Sequence, residues 1–333
     1  MDVLTAPAGP LTPSGVDLCL TTCLAVRPGE SVTLVTDDAH LDDALALARG
    51  AERLGARPVL LRLADRHVGG KTAPGPVDAA LAASDVAVFV LLPEDGCQLW
   101  HTPGRQRATA AGARIGLLFP PSTWEITRDD LLATKRLTDA LADALTAAST
   151  ATLRTAAGTD LTLSLAGRPG FSCHSLVTEA GATATIPEWG DAEIGPVEGT
   201  ANGTLVVDGS MAFVGAIAEP IRMAVRDGLV TTIEGGPEAD RLRQILDAAG
   251  PAARTIAELG IGTVPRGGIT GHKDDKLLGT VHVALGHNRT LGGTVDCDVH
   301  LDGVMHAPTL TLDGRPVLDA GRLAGPYAEL LPC

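Results

Sequence analysis

The first 150 residues alternate between short unbroken apolar runs and alanine-rich stretches with a helical repeat. SVTLVTDD (31–38) predicts a strand, and the LDDALALARGAERLGA that follows sets its apolar residues three and four apart, the spacing of one helix face. PVLLRL (58–63), DVAVFVLL (85–92) and RIGLLF (114–119) predict three more strands. VDAALAAS reads as a helix before the second of these, and DDLLATKRLTDALADALTAA (129–148) as a long amphipathic one. Val/Leu runs without polar alternation belong to strands covered on both faces, so this half predicts an open, parallel, Rossmann-like sheet with right-handed crossovers. It has neither a GxGxxG turn after the first strand nor a Walker-type loop, and so lacks both phosphate-binding fingerprints.

The texture changes near residue 150. ATLRTAAGTDLTLSLAG predicts two strands around a Gly turn, and GTLVVDGSMAFVGA and IRMAVRDGLVTTIEGG predict hairpins with Asp-Gly turns. PEADRLRQILDAAG (237–250) is helical in pattern, and GTVHVALG (279–286), DCDVHLDGVM (296–305) and PTLTLDGRPVLDAG (308–321) return to strands. The expected organisation is α/β: a Rossmann-like parallel-sheet domain over residues 1–150, then a β-rich α+β domain with antiparallel strands over 151–333.

Composition narrows the partners. The formal net charge is −14, from 26 Lys+Arg against 40 Asp+Glu, and there is no basic run to release counterions from a nucleic acid. One Tyr, three Trp and four Phe leave no stacking platform for single strands, and the core must be built from Ala, Val, Leu and Ile. No apolar run approaches a membrane span, and MDVLTAPAGP has the features of no secretory signal, so a cytoplasmic protein that binds neither nucleic acid nor membrane is expected. The six cysteines form no CxxC pair; Cys19 and Cys23, spaced i,i+4, read as small buried hydrophobes on a helix face.

Groups able to hold a metal concentrate in the second half. His300 and Asp302 are two apart on a predicted strand, so imidazole and carboxylate point the same way, an arrangement suited to a divalent cation. His282 lies on another predicted strand, flanked by apolar residues and read as inward-facing, and Glu258 is a lone carboxylate in the apolar TIAELGIGT. Burying a carboxylate without a partner costs several kcal/mol, so a cation or an imidazole is expected beside it. PEWGDAEIGPVEG offers Glu188, Asp191, Glu193 and Glu198 in what reads as a solvated acidic loop, and KDDKLLG (Asp274, Asp275, Lys276) reads as a charged turn. His40, His67 and His101 lack carboxylates at useful spacing. The absence of GxSxG and HExxH disfavours serine hydrolases and zincins.

AELGIGT, DDKLLGTVHVALG, LGG and HLDGVM, in that order, resemble the thermophilic aminopeptidase family (aminopeptidases T and S) of dinuclear metallopeptidases, a scaffold shared with ferrous ring-opening dioxygenases of dihydroxypyridines. PGESVTLV, GTDLTLSLAGR and PVEGTANGTLVVDGSM extend the likeness to both halves. The resemblance implies metal ligands at Glu258, His282, His300 and Asp302. The family's further glutamate, five residues before a proline, corresponds to Asp191, with Glu193 the nearest glutamate. A tyrosine expected seven residues beyond the first histidine is Arg289 here, and the only Tyr is Tyr327. The dioxygenase branch implies a histidine where Glu258 stands, so the retained glutamate points to the hydrolytic branch.

The resulting expectation is an aminopeptidase-like hydrolase of amide bonds in a small molecule or short peptide, with two divalent ions (Zn, Co or Mn) activating water. Glu193 would shuttle the proton, and Arg289 would stand in for the phenol. The alternatives are a mononuclear Fe(II) dioxygenase opening a hydroxylated N-heterocycle, its ion held by His282, His300 and Asp302, and a metal-bound binding protein without turnover. The resemblance also implies a homodimer. Arg289 and Trp189 are the residues expected to govern specificity.

Overall fold

The computed structural model describes residues 11–63, 75–91, 102–118, 126–265, 267–271 and 274–330. The chain forms two compact units, Met1–Leu131 with His174–Trp189, and Leu132–Cys173 with Gly190–Cys333. The division therefore does not fall at residue 150: residues from 132 already belong to the second unit, and 174–189 return to the first.

The first unit opens with α1 (Pro13–Asp17), which runs into a π-helical turn, Leu18–Cys23. It continues through β1 (Ser31–Thr36), α2 (Leu41–Arg53), β2 (Arg57–Arg62), α3 (Gly75–Ala82), β3 (Val86–Val90), α4 (Pro103–Ala110) and β4 (Arg114–Leu118). Helix α5 (Arg128–Ala147) leads to β5 (Thr150–Arg154), β6 (Asp160–Ser164) and β7 (Gly170–His174), after which β8 (Thr183–Ile186) rejoins the first sheet. That sheet is parallel, in the order β2-β1-β3-β4-β8. The residues of β3 and β4 are buried throughout, which is why their sequences show no polar alternation. Cys19 and Cys23 are buried as expected, the Cys19 thiol pushed up to about 12 by burial and, secondarily, the Glu188 charge. His40, by contrast, does have a carboxylate: the turn after β1 folds back so that Asp37 Oδ1 lies 2.8 Å from its Nδ1. His67, His101, Cys97 and Cys333 lie outside the described residues.

The second unit continues with β9 (Gly190–Ile194), β10 (Asn202–Val207), β11 (Ser210–Met211), β12 (Gly215–Ala216), β13 (Ile221–Arg226), β14 (Leu229–Glu234) and α6 (Pro237–Ala249). β15 (Ile256–Gly262), β16 (Val281–Gly286), β17 (His300–Met305), β18 (Thr309–Leu312), β19 (Arg315–Asp319) and β20 (Arg322–Leu323) complete it. One sheet runs β14-β13-β10-β6-β5-β18-β19-β20, the other β12-β11-β17-β16-β15-β9-β7. Both sheets contribute to one aliphatic core with α5 and α6, including Leu161, Leu205, Leu259, Ile261, Val283, Leu301 and Leu310. Successive strand residues point to opposite faces, so packing Leu259 and Ile261 of β15, Val281, Val283 and Leu285 of β16, Leu301 and Met305 of β17, and Ala192 and Ile194 of β9 into this core turns their polar neighbours to the other face. Among the described residues no helix is long and apolar enough to cross a membrane.

Candidate metal centre

The face turned away from the core carries Asp191 and Glu193 on β9, Glu258 on β15, His282 on β16, and His300 and Asp302 on β17. Antiparallel register sets Glu193 opposite Gly260, Gly260 opposite His282, Glu258 opposite Ala284, and Ala284 opposite Asp302. Functional side chains thus alternate with glycine or alanine across the strands. Gly260 is required by close approach: a Cβ there would overlap the His282 ring. His282 is therefore not directed into the core, as its apolar flanks suggested; Val281 and Val283 take that side. It is nevertheless fully buried, because this face is covered as well.

Glu258 sits between the two imidazoles, Oε1 2.8 Å from His282 Nε2 and Oε2 2.9 Å from His300 Nε2. Asp302 Oδ1 lies 3.3 Å from the same His300 nitrogen, but off the line of a hydrogen bond. Glu258, His300 and Asp302 offer ligand atoms within 4.8 Å of one another, as do Asp191, Glu258 and His282, and Cys173, Asp191 and Glu193. His300 Nδ1 is 2.7 Å from the His287 carbonyl oxygen. A carbonyl only accepts, so Nδ1 carries the proton and Nε2 is the atom free to ligate a metal.

The charges are strongly coupled. Burial alone would raise the Glu258 carboxyl, but hydrogen bonds from His282 and His300 hold it well below the usual range. Burial works against protonation of His282, and the Glu258 hydrogen bond and charge overcome it, lifting the imidazole to about 9. His300 is likewise raised well above the ordinary imidazole value, against its own burial, chiefly by the Asp302 charge. Glu193 goes the other way: burial and the neighbouring Glu258 and Asp191 charges push it well above the carboxylate range, and its Oε1 accepts from Cys173 Sγ at 3.3 Å.

Asp191 is wholly buried, and its Oδ2 pairs with Lys276 Nζ at 2.6 Å; Lys276 also meets Asp275 at 2.6 Å. KDDKLLG is a charged turn, but a largely buried one. Asp274–Lys276 forms one turn of buried 3-10 helix, with Asp274 taking the backbone N–H groups of Thr270 and Gly271. PEWGDAEIGPVEG is not a solvated loop, since Gly190–Ile194 is a largely buried strand. Arg289 stays 61% exposed and pairs with Asp296 at 2.9 Å, and Tyr327 lies in the 3-10 turn Gly325–Leu330, packed against the core. Lys276, Cys173 and the His287 carbonyl escape a reading of the sequence. The alternation of Gly and Ala with His, Asp and Glu on adjacent strands was the available signal for a crowded polar face.

The profile of the NicX family, 2,5-dihydroxypyridine 5,6-dioxygenase, matches residues 17–325. The chain belongs to this family. A 2,5-dihydroxypyridine 5,6-dioxygenase of Pseudomonas putida KT2440 is 28% identical over 266 residues, spanning 74% of this chain and 73% of that one. The solved structure of 2,5-dihydroxypyridine dioxygenase from P. putida KT2440 superposes with a TM-score of 0.78 at 23% identity, covering 96% and 100% of the two chains. AmpT from Thermus thermophilus follows the same fold at 0.67 and 17% identity, over 94% and 98%.

Membership in the NicX family overturns the aminopeptidase-like hydrolase expected from the sequence, together with the metalloprotease chemistry attached to it. The aminopeptidase enters only through a distant likeness of fold, whereas both the family profile and the sequence relative are dioxygenases. The retained Glu258 had tipped the balance. In the structure its two oxygens face imidazole nitrogens at 2.8 and 2.9 Å, an environment that does not by itself select hydrolysis.

Proposed function

We propose that this NicX-family protein is a ring-opening dioxygenase of a hydroxylated N-heterocycle of the dihydroxypyridine kind, dependent on one ferrous ion. The reading is carried by a family match spanning residues 17–325 of a chain whose Glu258, His300 and Asp302 converge. The donor types, imidazole nitrogen and carboxylate oxygen, are those of non-haem iron sites, but the set is one imidazole and two carboxylates, with Glu258 where the usual triad has a second histidine. Asp302 Oδ1 is buried without a hydrogen bond.

Glu258, His300 and Asp302 would hold the ion, with His282 on the other oxygen of Glu258. When bound, ferrous iron supplies a redox-active Lewis acid that lets a spin-paired aromatic substrate react with O2. His300 presents Nε2 because the His287 carbonyl fixes its tautomer. Glu193, its carboxyl pushed well above the ordinary range by burial and the Glu258 and Asp191 charges, is the group beside the cluster for proton exchange with a substrate hydroxyl. Both atoms of O2 end in the product as one ring carbon–carbon bond breaks, so oxidation of the ring balances reduction of O2 and no further reductant is consumed.

The test is oxygen uptake by the protein loaded anaerobically with Fe2+ and given 2,5-dihydroxypyridine. We expect about one iron per chain, loss of the aromatic absorbance with uptake of one O2, and both atoms of 18O2 in the product. His300→Ala loses iron and uptake together. An iron-loaded wild type that leaves a panel of hydroxypyridines and O2 unchanged would sink the reading.

A further inference from the structure

We propose that Glu198, Asn288 and Arg168 form a clamp that positions the metal ligand His300 without touching it, and that they thereby set the metal affinity of the site. The inference rests on His300 being a ligand, as read above.

The His287–Asn288 peptide is pinned on both sides. Its carbonyl accepts from His300 Nδ1 at 2.7 Å, and its N–H, from Asn288, donates to Val295 O at 3.2 Å. A trans peptide is a rigid plane with its C=O and N–H pointing opposite ways, so whatever fixes the N–H side aims the carbonyl. Asn288 is fully buried and closes the turn on itself: its Oδ1 accepts from Val295 N at 2.8 Å, and its own carbonyl accepts from Leu291 N and Gly293 N, both at 3.0 Å.

Glu198 reaches in from the segment after β9. Its Oε1 accepts from Asn288 Nδ2 at 3.0 Å, Thr294 N at 2.7 Å and Thr294 Oγ1 at 3.2 Å, while its Oε2 pairs with Arg168. Arg168 also donates to the Gly292 carbonyl. Both Glu198 oxygens are therefore committed to holding this turn, so this acidic residue of the PVEG segment serves as a brace rather than a ligand. Outer-sphere partners that orient a ligating histidine alter metal affinity by about 10–100-fold when removed.

The measurement is Co2+ binding to the full chain, by competition with a chromophoric chelator and by the cobalt ligand-field spectrum, alongside the melting temperature of the metal-free protein. Glu198→Ala and Asn288→Ala are expected to weaken Co2+ binding by about 10–100-fold and to shift the spectrum. Glu198→Gln keeps an acceptor for the Thr294 and Asn288 donors and should restore binding to within about threefold of wild type. A purely structural role would lower the melting temperature and leave affinity and spectrum in place; that outcome overturns the proposal, as does a Gln variant as weak as the Ala variant. Should the alanine variants fail to fold, Arg168→Met tests the same route from the rim, and Co2+ binding identical to wild type would overturn it. Weakened Co2+ binding in the variants, combined with an iron-loaded wild type that consumes no O2, would keep the clamp and reject the dioxygenase.

Discussion

Two charge clusters share one face of the seven-stranded sheet, and they are neutralised in different ways. Around Glu258 the counter-charges are imidazoles, whose protons a metal can replace. Around Asp191 the counter-charge is the ammonium of Lys276, covalently part of the chain and held well above its ordinary value by Asp191 and Asp275 despite its burial. His282 Nε2 stands 3.8 Å from Asp191 Oδ2, so the two clusters adjoin. One is neutralised by imidazole protons, the other by a lysine ammonium.

The strongest way to break this contrast is Lys276→Met. Asp191 would remain wholly buried with its cation gone, and removing one partner of a buried pair costs about 3–5 kcal/mol. Denaturant unfolding of the metal-free variant should show a loss of that size. A loss below about 1 kcal/mol, the range of surface pairs, would mean that Asp191 is solvated or protonated and that Lys276 is no resident cation.

The contrast also predicts different responses to pH. His282 is raised from the ordinary 6.5 to about 9, so its contribution to the stability of the metal-free protein is fully present below pH 6.5 and disappears as pH rises through about 9. At 1.36 kcal/mol per pH unit, the shift corresponds to at most about 3 kcal/mol. Lys276 stays charged across this window and adds no slope. With metal on the other oxygen of Glu258, that charge is offset and the lift of His282 weakens, so the decline should move to lower pH. Melting temperatures at pH 6 and pH 9.5, with and without metal, measure both; a metal-free protein equally stable at the two pH values would contradict the His282–Glu258 coupling.

Much of this face was legible in the sequence because strand periodicity is strict: His300 and Asp302, two apart, had to share a side. The parallel sheet was legible for a similar reason, since β3 and all of β4 after Arg114 are continuous apolar runs. The partner of Asp191 was not, because Lys276 is 85 residues away and its charge-dense turn looks solvated unless each charge is known to be paired. The four residues of β8 were too short a run to announce a return to the first sheet. The reaction was misread because a glutamate beside two histidines serves hydrolytic and oxidative metal sites alike, and only the relatives separate them.

Two glycines of β15 refine the contrast on a smaller scale. A Cβ on Gly260 would overlap the His282 ring, whereas one on Gly262 would overlap the carbonyl of Leu277, the residue after Lys276. Overpacking a filled site costs about 1–3 kcal/mol, so both Ala variants should lose stability to a similar degree. They should differ in what moves. Gly260→Ala pushes His282 away from Glu258 and weakens Co2+ binding, while Gly262→Ala presses on the backbone behind the ammonium and leaves Co2+ affinity near wild type. Titrating both variants with Co2+ tests the separation directly: equal losses of affinity would show that the two clusters yield as one unit, and that the exchangeable and built-in cations share a single rigid frame.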